Sequence, residues 1–297
     1  GIVTFPFTLP FPPPSRLARS SRLPPLMSFP LPSFLRDLWK HRDLLWQFTR
    51  RNFEMTVRGS HLGLIWSLFN PLLMLGLYVL VFGFVFGGRF GVLPDETTVD
   101  FSLGVFLGLT LFGFLAEVMA IAPTLITMNP NFVKKVVFPL VVLPAAAVGA
   151  SCLRMIISLT LWFIGVLLFA HHGAQIGLLW MPVVLLALAL LAVGMAWLLS
   201  ALGVFVQDLT QLIAFFIQVM MYASAVFYPV TRIPDAALAV LRFNPLLQAI
   251  DLARGPALWH QAVNFWHLGY LYAAGSIICI LGHWLFRRLK PAFADVL

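Results

Sequence analysis

Charge is scarce in this sequence. Only 10% of its 297 residues are Asp, Glu, Lys or Arg, where a soluble domain carries roughly a quarter, and 61% are hydrophobic. With a mean hydropathy of +0.94, the chain is an integral membrane protein. Acid is scarcer than base, 11 residues against 19, but the excess does not form a nucleic-acid surface. The basic residues stand at the ends of apolar runs rather than among exposed aromatics, so no nucleic-acid partner is expected. Cysteine is nearly absent: Cys152 and Cys279 lie in apolar runs without metal-ligand spacing, and neither implies a disulfide. A GxxxxGK(S/T) phosphate loop is missing, and no lysine follows a glycine, which excludes ATP binding by that device. GxSxG, HExxH, CxxC and a carboxylate cluster at the end of a span are missing too. The chain is expected to be a transport subunit energised by something else, not an enzyme, with no metal and no cofactor of its own.

What is present is organised around residues 34–86. The first part, FLRDLWKHRDLLWQFTRRNFEMTVR, has the spacing of an amphipathic helix. Leu35, Leu38, Trp39, Leu45, Trp46, Phe53 and Val57 fall mostly on one stripe, with Arg36, Lys40, Asp43, Gln47, Arg50, Arg51, Glu54 and Arg58 largely off it. This predicts an interfacial helix over 33–58, N-capped by Ser33, followed by a hinge at 59–63 and an apolar run from 64 to 86. Arg50, Arg51 and Arg58 then stand at headgroup level, where they anchor the helix to anionic lipid. Residues 1–32 are proline-rich and form a leader without helices, expected to be disordered; Pro24, Pro25, Pro30 and Pro32 break any signal-peptide core, and Met27 is the expected natural start.

Six runs are long enough to cross roughly 30 Å of hydrocarbon: about 64–86, 102–126, 140–169, 178–205, 210–228 and 265–286. Pro71, Pro123 and Pro182 read as kinks within or near them. With both termini inside, fourteen Lys and Arg face the cytoplasm and Arg89, Arg232, Arg242 and Arg254 face out. The predicted fold is therefore all-α, with six transmembrane helices in residues 59–297 after the interface helix.

Two connections are more than turns. In MNPNFVKKVVFPLVVLP, Asn129 and Pro130 start a short inside helix ending near residue 138, which carries Asn131, Phe132, Val133, Lys134 and Lys135. It reads either as a surface for another protein or as a basic hairpin. The second inside connection holds Asp208. Outside, residues 234–256 read as two short re-entrant helices, opened by Asp235 and by Asn244-Pro245 and carrying Arg242 and Arg254. A lid and a packing cap both fit them. Glu117 and Arg154 fall inside spans, where a charge costs about 2.5–3.5 kcal/mol, so both must face the bundle. They are expected to pair structurally rather than to relay protons.

Several motifs, in order, resemble a known family. RRNFEMTVRGSHLGLIWSLFNPLLMLGLYVLVFGFVF is similar to the start of the ABC-2 type permeases that export cell-surface polysaccharide. FVKKVVFPLVVLP, FVQDLTQ, FYPVTRIP and RFNPL resemble that family's later landmarks, and the likeness runs from about Leu35 to Leu297. VRGSHLG and KKVVFPL look closer to exporters of O-antigen and teichoic acid than to capsule exporters. The resemblance implies a bacterial inner-membrane homodimer bound by two copies of a separate ABC ATPase, which would hold ATP and magnesium. It further implies a polyprenyl-pyrophosphate-linked glycan as substrate, with teichoic acid, capsule polysaccharide or a small lipophilic molecule as alternatives. Under it, Asn129, Asn131, Phe132, Val133, Lys134, Lys135 and Asp208 couple to the ATPase. The outside pair becomes a gate, Tyr78, Phe82, Phe216 and Tyr222 become channel candidates, and Arg50, Arg51 and Arg58 either meet the pyrophosphate of the incoming substrate or anchor lipid alone.

Overall fold

A computed structural model describes residues 31–57, 64–85, 87–134, 138–170, 173 and 175–296. Residues 1–30 of the proline-rich leader, Arg58, the hinge at 59–63 and Lys135 lie outside the described residues, as do the side chains of Ser33, Tyr78 and Phe82; Leu31 and Pro32, expected to be non-helical, already belong to the first helix.

The amphipathic stretch forms two helices, α1 (Leu31–Lys40) and α2 (Arg42–Val57), which meet at His41. α1 begins two residues before Ser33, so that serine sits inside the first turn rather than capping it. The stretch also has two working faces. Phe34 and Thr49 are buried against the bundle and Leu38, Leu45 and Phe48 pack beside them, whereas Leu35, Trp39 and Trp46 point outward. The predicted single stripe is divided because α2 docks on a long helix, α6 (Val142–Phe169). There the Thr49 hydroxyl donates to the Ala146 carbonyl at 3.4 Å, and a β-carbon at Gly149 would come within 2.6 Å of it.

α3 (Leu64–Tyr78) continues as a π-helical stretch, Val79–Val85, and contains Pro71, whose missing N–H fits a distorted span. α4 (Thr98–Ile121) is the innermost long helix, started by a reciprocal capping box between Thr97 and Asp100. After a 3₁₀ turn at Ala122–Thr124, which holds Pro123, comes the five-residue α5 (Pro130–Lys134) and then α6. α7 (Met181–Leu202) takes Pro182 into its first turn, where proline starts a helix rather than bending one. α8 (Leu209–Ala223), α9 (Asp235–Leu241), α10 (Pro245–Leu258), α11 (Phe265–Leu289) and the short α12 (Phe293–Val296) complete the order.

Among the described residues, four stretches are long and apolar enough to cross a membrane outright: Thr98–Thr124, Val142–Phe169, Ile176–Leu202 and Phe265–Val296. The first and fifth expected spans are instead 15-residue helices, each about 22 Å long at 1.5 Å per residue, extended by backbone that is not α-helical. α9 and α10 meet at 103°.

Buried tryptophans tie the helices together through their indole N–H groups. Trp162 of α6 donates to the Leu103 carbonyl of α4 at 2.9 Å, and Trp197 of α7 donates to the Val141 carbonyl at the start of α6 at 3.0 Å. α7 and α11 run closest of all, with Gly194 and Gly282 facing each other where backbone meets backbone.

Candidate functional site

Three constellations stand apart from ordinary packing. The first is the intramembrane pair. Arg154 of α6 reaches Glu117 of α4 through Nη2, which also donates to the Ser151 hydroxyl at 3.1 Å. The pair lines a cleft of about 330 Å³ whose far wall is Asn52 and Met55 of α2. Opposite charges thus meet inside the bundle rather than at lipid, as the insertion cost requires.

A second constellation surrounds α5. Phe132 stacks on Phe138 with ring centroids 4.7 Å apart and meets Phe48 of α2 at 5.6 Å; Phe48 and Phe138 are 5.2 Å apart. Three rings therefore clamp α5 to the interface helix. Arg51 extends the stack, its guanidinium 5.4 Å over Phe48, whereas Arg50 is exposed and bonded to Glu54 at 2.8 Å. Val133 packs beneath, while Asn131 and Lys134 face outward. Asn129 does not cap the helix with its side chain; its amide turns back to donate to the Leu125 carbonyl at 2.8 Å. Asp208 is exposed at the start of α8, and no capping bond from its side chain forms there. Phe48 and Phe138 have no spacing that singles them out in the sequence; only the fold brings them to Phe132.

The third constellation lies at the opposite end. α10 is almost wholly buried, as a packing cap would be, and Arg254 is only 2% exposed. Its guanidinium donates to the carbonyls of Gly104 (3.1 Å), Ala225 (3.1 Å) and Val226 (2.9 Å). It also stacks 4.5 Å from the Phe90 ring and 5.6 Å from Trp259. A β-carbon at Gly108 would fall on the guanidinium, so the glycine leaves it room. Below Phe90, the Glu96 carboxylate accepts from the backbone N–H groups of Phe90 at 2.9 Å and Gly91 at 2.6 Å.

This arrangement explains why α8 stops early. Residues 224–227 are buried but not helical, and Ala225 has a positive φ of 52°. Carbonyls freed at that depth need donors, and Arg254 supplies them. Asn244 joins in, capping α10 through Leu246 N–H at 3.0 Å and donating to Ala223 O at 3.2 Å and Ser224 Oγ at 2.9 Å. α9, with Asp235, and the neighbouring Arg242 and Phe243 remain exposed.

The expected channel residues Phe216 and Tyr222 both point outward from the chain, 48% and 60% exposed. Tyr222 shares a narrow stripe of α8 with Gln211, Phe215 and Gln218, all exposed. Two amides and a phenol along one face of an otherwise apolar helix are costly against lipid and suit a polar path. Among the described residues no three His, Cys, Asp or Glu gather where they could hold a metal.

Comparison with known proteins completes the description. A family model described as ABC-2 type transporter matches residues 43–258. An O-antigen export system permease protein RfbA of Klebsiella pneumoniae is 27% identical over 260 residues, covering 86% of this chain and 95% of its own. A second protein of that name and organism is 26% identical over 258 residues with the same coverage. The RfbA of Myxococcus xanthus is 24% identical over 263 residues, covering 88% of this chain and 98% of its own.

Proposed function

We infer that this chain, which belongs to the ABC-2 type transporter family, is the permease of an exporter that carries a polyprenyl-pyrophosphate-linked surface polysaccharide of the O-antigen type across the bacterial inner membrane. The observation that carries this reading is the near full-length match to relatives named as O-antigen export permeases. A separate ATPase, two copies per permease dimer, binds ATP and magnesium and docks on the basic face. Both termini lie on that cytoplasmic side.

The aromatic clamp supports a route for coupling. Movement of α5 under the ATPase is passed through Phe132, Phe138 and Phe48 to α2, which leads into α3. The outward stripe of α8 supports a conduit built between two copies, where Tyr222 and Phe215 offer ring faces to sugars and Gln211 and Gln218 offer amides to hydroxyls. Arg50 and Arg51 attract the pyrophosphate of incoming substrate, and α9 acts as the mobile part of the outer gate.

Co-expression with a separate ABC ATPase subunit from the same source tests the assignment. The two proteins should co-purify, ATP turnover should depend on the permease, and deletion of the permease should strip O-antigen from the cell surface. Loss of a wall teichoic acid, a capsule or a secreted lipophilic compound in its place would redirect the substrate reading.

A further inference from the structure

The end of the bundle where basic residues gather holds a cleft that the transport route does not use. About 310 Å³ in volume, it opens between α1, the start of α6 and the end of α11. Its walls are of two kinds. Leu38, Val141 and Val142 are apolar, whereas His41, Arg287 and Lys290 bring an imidazole, a guanidinium and an ammonium group. The one acid in the lining, Asp37, is drawn to the wall: its Oδ2 is 4.0 Å from Arg287 Nη1 and 3.7 Å from His283 Nε2. The rim carries a net positive charge.

Two further features set this cleft at a lipid boundary. Trp39, next to Leu38 in the chain, is 72% exposed and has the Arg42 guanidinium 5.4 Å over its ring. Trp284, three residues before Arg287, is also exposed, with Arg288 5.2 Å over its ring. Exposed tryptophans accompanied by arginines mark the headgroup layer, because the indole has an apolar body and a polar edge. A cationic rim at that level, above an apolar floor and between membrane helices, matches a phosphodiester from which acyl chains lead away.

We propose that this cleft binds an anionic glycerophospholipid of the surrounding bilayer, its phosphate against Arg287 and Lys290 and its chains against Leu38, Val141 and Val142. Since its walls come from α1, α6 and α11, an occupied cleft fastens the interface helix to the bundle, and Asp37 competes with the phosphate for Arg287.

Native mass spectrometry of the full chain, purified in detergent with mixed phosphatidylglycerol and phosphatidylcholine, tests this. Phosphatidylglycerol should be retained selectively. The Arg287→Gln/Lys290→Gln variant should lose roughly 25-fold in that preference, at about five-fold for each basic group near an anionic surface. Arg288→Gln, which alters a cation on Trp284 rather than in the cleft, should leave the preference intact. Equal loss in Arg288→Gln would reduce the effect to general surface charge and overturn the site. Displacement of the lipid by inorganic phosphate would assign the cleft to a free ion and overturn it as well. Should the double variant fold poorly, Arg287→Lys/Lys290→Arg decides: retained preference supports the site, and a lost one sinks it.

Discussion

Replacing Arg254 with Met would leave the non-helical carbonyls of Ala225 and Val226 without their donor inside the bundle and strip a second donor from Gly104, whose carbonyl also accepts within α4. Each unsatisfied buried acceptor costs about 1–3 kcal/mol, so the loss should reach several kcal/mol and appear as a lower thermal midpoint of the purified chain. Arg254→Lys should fall in between, because an ammonium group cannot fork across three carbonyls. For the pair in the middle of the bundle, Glu117→Gln or Arg154→Gln alone breaks a half-buried ion pair and should lower the folded yield. The exchange Glu117→Arg/Arg154→Glu should recover part of the folded yield seen by size-exclusion chromatography; no recovery would remove the pair from the account. These two sites differ in how they read from sequence. Glu117 and Arg154 interrupt long apolar runs, and that alone turns each of them into the bundle, where they are expected to pair. Arg254 sits in LLQAIDLARGPAL, too short and too polar to be taken for buried structure, and its acceptors lie up to 150 positions away in the chain.

At the scale of elements, α5 and α2 act as one piece through Phe132, Phe138 and Phe48. Phe132→Ala should leave the ATPase bound but lower permease-stimulated ATP turnover by about ten-fold or more, since about 1.4 kcal/mol of lost coupling is a factor of ten. Equal loss of association and turnover would show that Phe132 holds the partner rather than transmitting its motion. Gly149→Leu should push α2 off α6 through Thr49, exposing the cleft that holds Glu117 and Arg154; increased protease cleavage within 42–57 would report it. The helical period announced an amphipathic segment here. It did not say which face packs inward, because Trp39, Trp46 and Phe48 look alike to a hydrophobicity pattern, and the Thr49–Gly149 notch makes the choice.

For the whole molecule, composition was enough to establish a helical membrane bundle, and the motif order was enough for its family. What composition could not reveal is where helices stop, since an apolar run looks the same whether its backbone is α-helical, π-helical or irregular. Orientation is proposed from the segregation of base and can be tested directly. In a background with Cys152 and Cys279 replaced by Ala, Asp208→Cys should react with a membrane-impermeant thiol reagent only in inverted vesicles, and Arg232→Cys only in intact spheroplasts. The opposite pattern would invert the topology.

The brevity of α8 bears on the bilayer itself. A helix of about 22 Å covers some 8 Å less than a hydrocarbon layer of about 30 Å, and the buried, non-helical residues 224–227 that continue it make up only part of the difference, so a thicker bilayer strains this end of the span. Export measured in proteoliposomes of increasing acyl-chain length should therefore slow as the membrane thickens, while ATP turnover changes less.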